Sequence, residues 1–196
     1  MNQKGKIIMI VLLTISLLVG AYFLYEKLGQ NYLPAQLATN SQTTEAAGAT
    51  NDETDSQSKM PDFTVYDMQG NSVKLSDFLG KPVVLNFWAS WCGPCKSEMQ
   101  AFQTAYEKYG ENVVFLMVNM TDGYQETVEA AAEFIKNSGY TFSIYFDSNS
   151  EAATAYGVRS IPTTYFIDAQ GNGVAWASGA LDEQNLEKGI QMIISD

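Results

Sequence analysis

The sequence predicts an α/β fold in which a mixed central sheet is flanked by helices. Residues 61–196 alternate short runs of β-branched and aromatic residues with segments whose apolar residues repeat at helical spacing. Apart from Asn86, the runs at 83–89 (VVLNFWA) and 113–118 are continuously apolar, as strands covered on both faces are. A hairpin pattern near the C-terminus adds antiparallel strands, so the sheet is expected to be mixed.

The first element of this region is predicted to be a hairpin. Phe63, Val65 and Val73 flank the turn-forming sequence Gln-Gly-Asn at 69–71. Pro82 then opens the continuous apolar run, which reads as the central buried strand. The hairpin therefore directly precedes the middle of the sheet.

Two helices and a buried strand follow. Apolar residues recur at helical spacing over about 94–109, and Gly110 ends this helix. After the strand at 113–118, a second amphipathic helix over about 128–135 is closed by Gly139. This alternation is typical of a sheet with helices packed on its faces.

The last elements are a short strand at 143–146, a helical segment ending near Tyr156, a hairpin and a helix. Residues 163–167 and 173–177 are predicted to pair across a turn. Asp182 is expected to cap the final helix. The apolar face of that helix consists of Leu186, Ile190 and Ile193.

An uncharged run of 19 residues, 7–25, precedes the folded region. As a helix it would cover about 28 Å, close to the thickness of a bilayer core. Lys4 and Lys6 precede the run, so the positive-inside rule places the N-terminus in the cytoplasm and the rest of the chain outside. We predict a single-pass signal anchor at 1–29; a cleaved signal peptide and a buried soluble helix are the alternatives.

Residues 30–60 are rich in Gln, Asn, Thr, Ser, Ala, Asp and Glu. Such a composition buries too little apolar area to offset the entropy of ordering it. We predict a flexible extracytoplasmic linker here and one compact domain at 61–196; an irregular extension of the domain is the alternative for the linker.

Composition excludes several classes of function. The 196 residues contain no histidine, which removes Ser-His-Asp triads, Cys-His pairs and histidine-ligated metals. The formal net charge is −11, so we expect no nucleic-acid partner. Two cysteines are too few for a disulfide framework or a four-thiolate zinc site in one chain.

The two cysteines, Cys92 and Cys95, have C-x-x-C spacing at the junction of a strand and a helix. Unpaired N–H groups and the helix dipole favour a thiolate at Cys92. Pro94 is suited to the start of the helix, because the backbone N–H that proline lacks would have no partner within the helix there. Cys92 is predicted to attack a substrate disulfide and Cys95 to resolve the mixed disulfide.

Other readings of the pair are weaker. A zinc site would need ligands from a second chain, and covalent haem attachment would need a histidine where Lys96 stands. A structural disulfide would close too small a loop to constrain the unfolded chain. Dithiol exchange needs neither metal nor cofactor, and none is predicted.

A second feature is Ile161-Pro162, directly before the strand at 163–167. A cis bond here would present an unpaired backbone edge beside the cysteines to an extended substrate segment. Most X–Pro bonds are trans, so the residues alone leave the isomer open.

At these residues the chain resembles the thioredoxin superfamily. The sequence PDFTVYDMQGNSVKLSDFLGKPVVLNFWASWCGPCKSEM at 61–99 is similar to the opening of the membrane-associated TlpA/ResA-like thiol-disulfide oxidoreductases, and YGVRSIPTTYFID at 156–168 to their cis-proline segment. Residues 121–146 resemble the helix-strand insertion of this group. The resemblance implies a thioredoxin fold with an N-terminal hairpin and this central insertion.

The resemblance also implies roles for single residues. Cys92 would be the nucleophile, Cys95 the resolving thiol and Pro162 a cis-proline. Plain thioredoxins carry a buried Asp where this chain has Asn86, which cannot titrate. Glu98 would instead accept the Cys95 proton with a raised pKa; the alternative is an ordinary acid in an early helical turn. The residues expected to bind substrate are Trp91, Gly93, Pro94, Ile161 and Pro162.

These observations predict a monomeric extracytoplasmic oxidoreductase on the cell membrane. It would reduce disulfides in exported proteins and be re-reduced by a membrane thiol donor; the resemblance adds cytochrome c biogenesis as a setting. The alternatives are a dithiol oxidant and a non-catalytic client-binding module. Whether the enzyme reduces or oxidises its clients depends on a difference of a few tens of millivolts in reduction potential. The sequence does not determine that difference.

Overall fold

The computed structural model describes residues 18–20, 35–39 and 59–194. In the N-terminal unit, Met1–Leu33, residues 18–20 are helical, and the other residues of the predicted anchor lie outside the described part. Within the described residues no helix has the length and apolar character needed to cross a membrane. The signal anchor therefore stays a prediction.

The C-terminal unit, Pro34–Asp196, contains eight described strands and four described α-helices. The strands are β1 (Ala38–Thr39), β2 (Thr64–Tyr66), β3 (Ser72–Lys74), β4 (Val83–Trp88), β5 (Val114–Asn119), β6 (Ile144–Phe146), β7 (Thr163–Ile167) and β8 (Gly173–Ser178). The helices are α1 (Gly93–Tyr109), α2 (Val128–Ser138), α3 (Glu151–Ala155) and α4 (Glu183–Ile194), with a 3-10 helix at Leu75–Phe78.

One mixed sheet contains the strands in the order β1-β8-β7-β4-β5-β6-β2-β3. Strand β5 runs parallel to β4 and β6, whereas β7 is antiparallel to β4 and β8. The predicted hairpin is β2–β3, and it joins the sheet through β6. The predicted insertion is α2 and β6, so the mixed α/β architecture is confirmed.

The central strand β4 explains how the two faces are covered. All its residues are buried, and successive side chains point to opposite faces. Val84 and Trp88 belong to the apolar cluster that includes residues of α1, α2 and α4, while Leu85 and Phe87 belong to the cluster that includes α3. Asn86 lies two residues from both Val84 and Trp88, so its side chain points to the same face as theirs, toward α1.

The helix ends lie close to the predicted positions. Thr127 Oγ1 accepts a hydrogen bond from the N–H of Ala130 at 3.1 Å at the start of α2, and Gly139 ends that helix with φ of 74°. Asp182 Oδ1 accepts from the N–H of Asn185 at 2.8 Å, which confirms the predicted cap of α4. Local side-chain chemistry therefore sets these boundaries.

Part of the predicted linker at 30–60 lies on the sheet. Ala38 pairs with Trp176 of β8, and the N–H of Ala35 donates to the carbonyl of Ala180 at 3.0 Å. This short strand covers backbone groups at the edge of β8. Composition did not predict it, because edge pairing uses backbone donors and acceptors rather than apolar side chains. The remaining domain boundaries stay predictions.

Helix α4 approaches β7 closely at Gly189. A Cβ atom there would lie 2.3 Å from ring carbons of Phe166, which is fully buried. In Gly189→Ala, the higher helix propensity of alanine should add about 1 kcal/mol to the free energy of unfolding, whereas overpacking should remove about 1–3 kcal/mol or more. We therefore expect a net loss of stability in urea unfolding.

Two variants control this prediction. Lys188→Ala, on the exposed side of the same helix, should change stability little. Combining Gly189→Ala with Phe166→Leu should cost less than the sum of the two single changes, because the smaller side chain makes room. A Gly189→Ala protein as stable as the wild type would contradict the close packing.

Candidate active site

The two cysteines lie at the N-terminus of α1 and are joined by a disulfide bond. The S–S distance is 2.07 Å and the Cα–Cα distance 5.2 Å. Cys92 is the N-cap residue, and its Sγ accepts a hydrogen bond from the N–H of Cys95 at 3.1 Å. Gly93 and Pro94 form the first two helical positions. The helix therefore begins at the predicted motif, with an N–H group directed at Cys92.

The two sulfur atoms differ in their surroundings. Cys95 is fully buried, whereas Cys92 is 4% exposed and borders the surface residues Gly93 and Pro94. Sγ of Cys92 lies 3.8 Å from the carbonyl oxygen of Ile161. A reaction partner can approach Cys92 more easily than Cys95.

The predicted cis-proline segment lies beside the cysteines. The Ile161–Pro162 peptide bond is cis, as the resemblance implied. Pro162 is buried and Ile161 half-buried, and the carbonyl oxygen of Pro162 accepts from the N–H of Gly179 at 2.8 Å. Residues 70 positions apart in the sequence thus meet at one end of the sheet.

An exposed aromatic residue is the sequence neighbour of Cys92. Trp91, directly before it, is 49% exposed. A groove of about 350 Å³ follows the cis-proline loop and is lined in part by Arg159, Tyr165 and Trp176. The rings of Tyr165 and Trp176 are stacked, with their centroids 6.4 Å apart. A larger cavity of about 840 Å³, lined by the N-terminal hairpin, α2 and β6, contains none of the predicted site residues.

Glu98 is buried one helical turn after Cys95, on the same face of α1. Its Oε1 accepts from Asn86 Nδ2 at 2.9 Å, and its Oε2 accepts from the N–H of Leu181 at 2.9 Å. Burial raises the pKa of Glu98 to about 8, although both hydrogen bonds oppose the rise. The direction of this shift agrees with the expectation for Glu98, whose part in proton transfer stays a prediction.

The carboxyl group of Glu126 is also buried near the cysteines, and no sequence motif predicts its contacts. Its Oε1 accepts from the N–H of Ser90 at 2.8 Å and from Asn119 Nδ2, and its Oε2 accepts from Ser90 Oγ at 2.7 Å. It thus fixes the turn that leads into Cys92. An acid directly before the capping Thr127 is ordinary at a helix N-terminus, so sequence alone predicts no such contact.

A cysteine pair at the start of the helix after the central strand, next to a cis-proline in a mixed sheet, defines a thioredoxin-type thiol-disulfide oxidoreductase. Residues 57–175 match the model of the AhpC/TSA family. The chain is also 35% identical, over 133 residues, to the thiol-disulfide oxidoreductase ResA of Bacillus thuringiensis subsp. konkukian, covering 68% of this chain and 75% of that protein. It belongs to the AhpC/TSA family and, within it, to the ResA-like thiol-disulfide oxidoreductases.

Solved structures show the same fold. A Chlorobium tepidum protein assigned as thiol:disulfide interchange protein DsbE aligns with a TM-score of 0.60 at 32% identity, covering 67% of this chain and 92% of its own. The exposed lipoprotein thioredoxin Etrx1 of Streptococcus pneumoniae aligns with a TM-score of 0.57 at 31% identity, covering 65% and 96%. Both alignments support the assignment of the domain to thioredoxin-type oxidoreductases.

Proposed function

We propose that this chain is a membrane-anchored, extracytoplasmic enzyme that reduces disulfides in exported proteins. The observation that carries the proposal is the asymmetry of the cysteine pair. Cys92 lies at a helix N-terminus, 3.8 Å from the carbonyl oxygen of Ile161, while Cys95 is fully buried behind it. This arrangement suits one attacking thiol and one resolving thiol.

The reaction begins with the reduced enzyme. The Cys92 thiolate attacks one sulfur of a client disulfide; a new S–S bond forms, the client S–S bond breaks and the first client thiolate leaves. The Cys95 thiolate then attacks Sγ of Cys92 and releases the second client thiolate. Two electrons have passed to the client, and the enzyme is left with the Cys92–Cys95 disulfide.

Glu98 is the proposed acceptor of the Cys95 proton. Near neutral pH a carboxyl group with a pKa of about 8 is partly ionised, and this ionised form can take up a proton. Asn86 occupies the facing position on β4 but has no titratable group. Glu98 is therefore the proposed proton-accepting group, one helical turn from the resolving thiol on the same helix.

The client is proposed to bind as an extended segment across the cis-proline loop. Ile161 and Pro162 offer backbone beside Cys92, and Trp91, Gly93 and Pro94 offer exposed surface on its other side. Such a segment can form main-chain hydrogen bonds with the loop, and these bonds do not depend on the side chains of the client. The enzyme would thereby accept varied exported proteins.

The location is inferred from the N-terminus. The apolar run at 7–25, preceded by Lys4 and Lys6, supports a membrane anchor with the domain outside. Etrx1, a similar structure, carries the description of an exposed lipoprotein thioredoxin. The reducing direction, re-reduction by a membrane thiol donor and a contribution to cytochrome c biogenesis follow from the resemblance to the TlpA/ResA-like group.

A trapping experiment tests this proposal. In cells, the full-length Cys95→Ser variant should accumulate mixed disulfides with exported proteins, because Cys92 can attack but nothing resolves the product. The Cys92→Ser/Cys95→Ser variant should trap none. The absence of trapped clients for folded Cys95→Ser protein would contradict the enzymatic role and favour a non-catalytic binding module.

The midpoint potential of the purified protein tests the direction. A reductant should have a potential near that of thioredoxin, about −270 mV, whereas a potential near −120 mV is typical of a strong dithiol oxidant. A value at the oxidising end would overturn the proposed direction while leaving the cysteine roles intact.

A further inference from the structure

A small polar network surrounds the carboxyl group of Glu98 inside the domain. Asn86 on β4 is fully buried, as is Thr164 on β7. Asn86 Nδ2 donates two hydrogen bonds, to Glu98 Oε1 at 2.9 Å and to Thr164 Oγ1 at 3.0 Å. Asn86 Oδ1 has no hydrogen-bond partner among the described residues.

The contacts decide which carboxyl oxygen can hold a proton. Oε2 accepts from the N–H of Leu181, and a backbone N–H can only donate. A proton on Oε2 would therefore have no acceptor in the described hydrogen bonds of that oxygen, whereas Asn86 can turn a carbonyl oxygen toward Oε1. The proton of the neutral acid belongs on Oε1, the oxygen that faces Asn86.

The observed orientation of Asn86 suits only the ionised form of Glu98. With a proton on Oε1, two donors would face each other across 2.9 Å. Turning the side-chain amide by half a rotation exchanges Oδ1 and Nδ2, two atoms of similar size. Thr164 can follow the change, because a hydroxyl group both accepts and donates.

We propose that Asn86 and Thr164 are positioning residues that hold the Glu98 carboxyl group in both of its protonation states. When Glu98 takes up a proton on Oε1, the Asn86 amide turns over, and Oδ1 accepts from the hydroxyl groups of Glu98 and Thr164. Each state keeps the same two contacts, with their donors and acceptors exchanged. The carboxyl group can gain or lose a proton without moving.

Few other groups act on this site. The cysteines of α1 do not titrate while they are bonded to each other. Burial and the neutral donors Leu181 N–H and Asn86 Nδ2 set the Glu98 pKa, and no charged side chain of the described residues contributes. The inference rests on the proposed role of Glu98, but the oxidised protein tests it without any turnover.

The test is an NMR titration of the oxidised protein across the Glu98 pKa of about 8. Above the midpoint, the Asn86 side-chain amide protons should show a strong nuclear Overhauser effect to the Thr164 side chain. Below it, the effect should weaken several-fold, because Nδ2 turns away. Glu98→Gln, whose amide donates as the neutral acid does, should keep the weak form at every pH.

Two neighbouring threonines provide a test variant and its matched control. Thr164→Val should shift the Asn86 amide signals on both sides of the midpoint, since the hydroxyl is a partner in both orientations. Thr163→Val should leave them unchanged, because the Thr163 hydroxyl donates to the carbonyl of Ser160. An Overhauser effect that persists through the titration and in Glu98→Gln would overturn the inference. Failure of client trapping would instead count against the proposed function alone.

Discussion

Replacing Glu98 with glutamine is expected to raise the free energy of unfolding at neutral and alkaline pH. In the folded protein, burial raises the pKa of this carboxyl group from the ordinary 4.5 to about 8. The folded state therefore binds the proton more tightly than the unfolded state. Between these pH values the unfolded chain loses the proton while the folded protein keeps it, so wild-type stability falls as pH rises.

The size of the effect follows from the width of the pH window. Below about pH 4.5 the raised pKa of Glu98 does not lower the free energy of unfolding. Above about pH 8 the reduction has reached its full size, about 5 kcal/mol. Glutamine can accept from Leu181 and donate toward Asn86 without carrying a charge. The difference between the Glu98→Gln and wild-type free energies should therefore grow steadily across this window.

Urea unfolding of the oxidised proteins at several pH values checks this prediction. Other groups titrate in both proteins, so only the difference between the two curves is used. Glu111→Gln, an exposed glutamate after α1, controls for the loss of one acidic residue and should give a curve parallel to the wild type. Parallel curves for Glu98→Gln would mean that Glu98 titrates normally in the folded protein.

The parts of the site that are local in sequence could be predicted. Cys92, Cys95 and Pro94 lie within four residues, and the strand before them and the helix after them are visible as an apolar run and a helical repeat. A helix N-terminus at the cysteines follows from that order of elements alone. Pro162 needed more, because only the resemblance to a family implied its cis bond.

The contacts that tune the site could not be predicted. Leu181 and Glu98 are 83 residues apart, and Glu126 and Ser90 are 36 apart. Such pairs meet because strand order brings loops together, and strand order depends on packing rather than on any one segment. The short strand at 38–39 was missed for a related reason, since backbone pairing leaves no apolar pattern.

The largest predicted structural loss is that of Glu126→Ala. The side chain accepts three hydrogen bonds, two from Ser90 and one from the fully buried Asn119. Hydrogen bonds to charged acceptors contribute about 1.5–3 kcal/mol each and are not additive, so we expect a loss of about 3–5 kcal/mol in urea unfolding. The buried amide of Asn119 is then left without this partner, which adds to the cost.

The effect should be greatest at the turn before the cysteines. Ser90 lies two residues before Cys92, so its backbone N–H should exchange with solvent faster in Glu126→Ala than in the wild type. Ser90→Ala removes only the hydroxyl contact and should cost about 1–2 kcal/mol. Glu129→Gln, on the exposed face of α2, controls for the charge. If Glu126→Ala destabilised the protein no more than Glu129→Gln and left the Ser90 exchange rate unchanged, Glu126 would not hold this turn. The thiol geometry would then depend on α1 and the cis-proline loop alone.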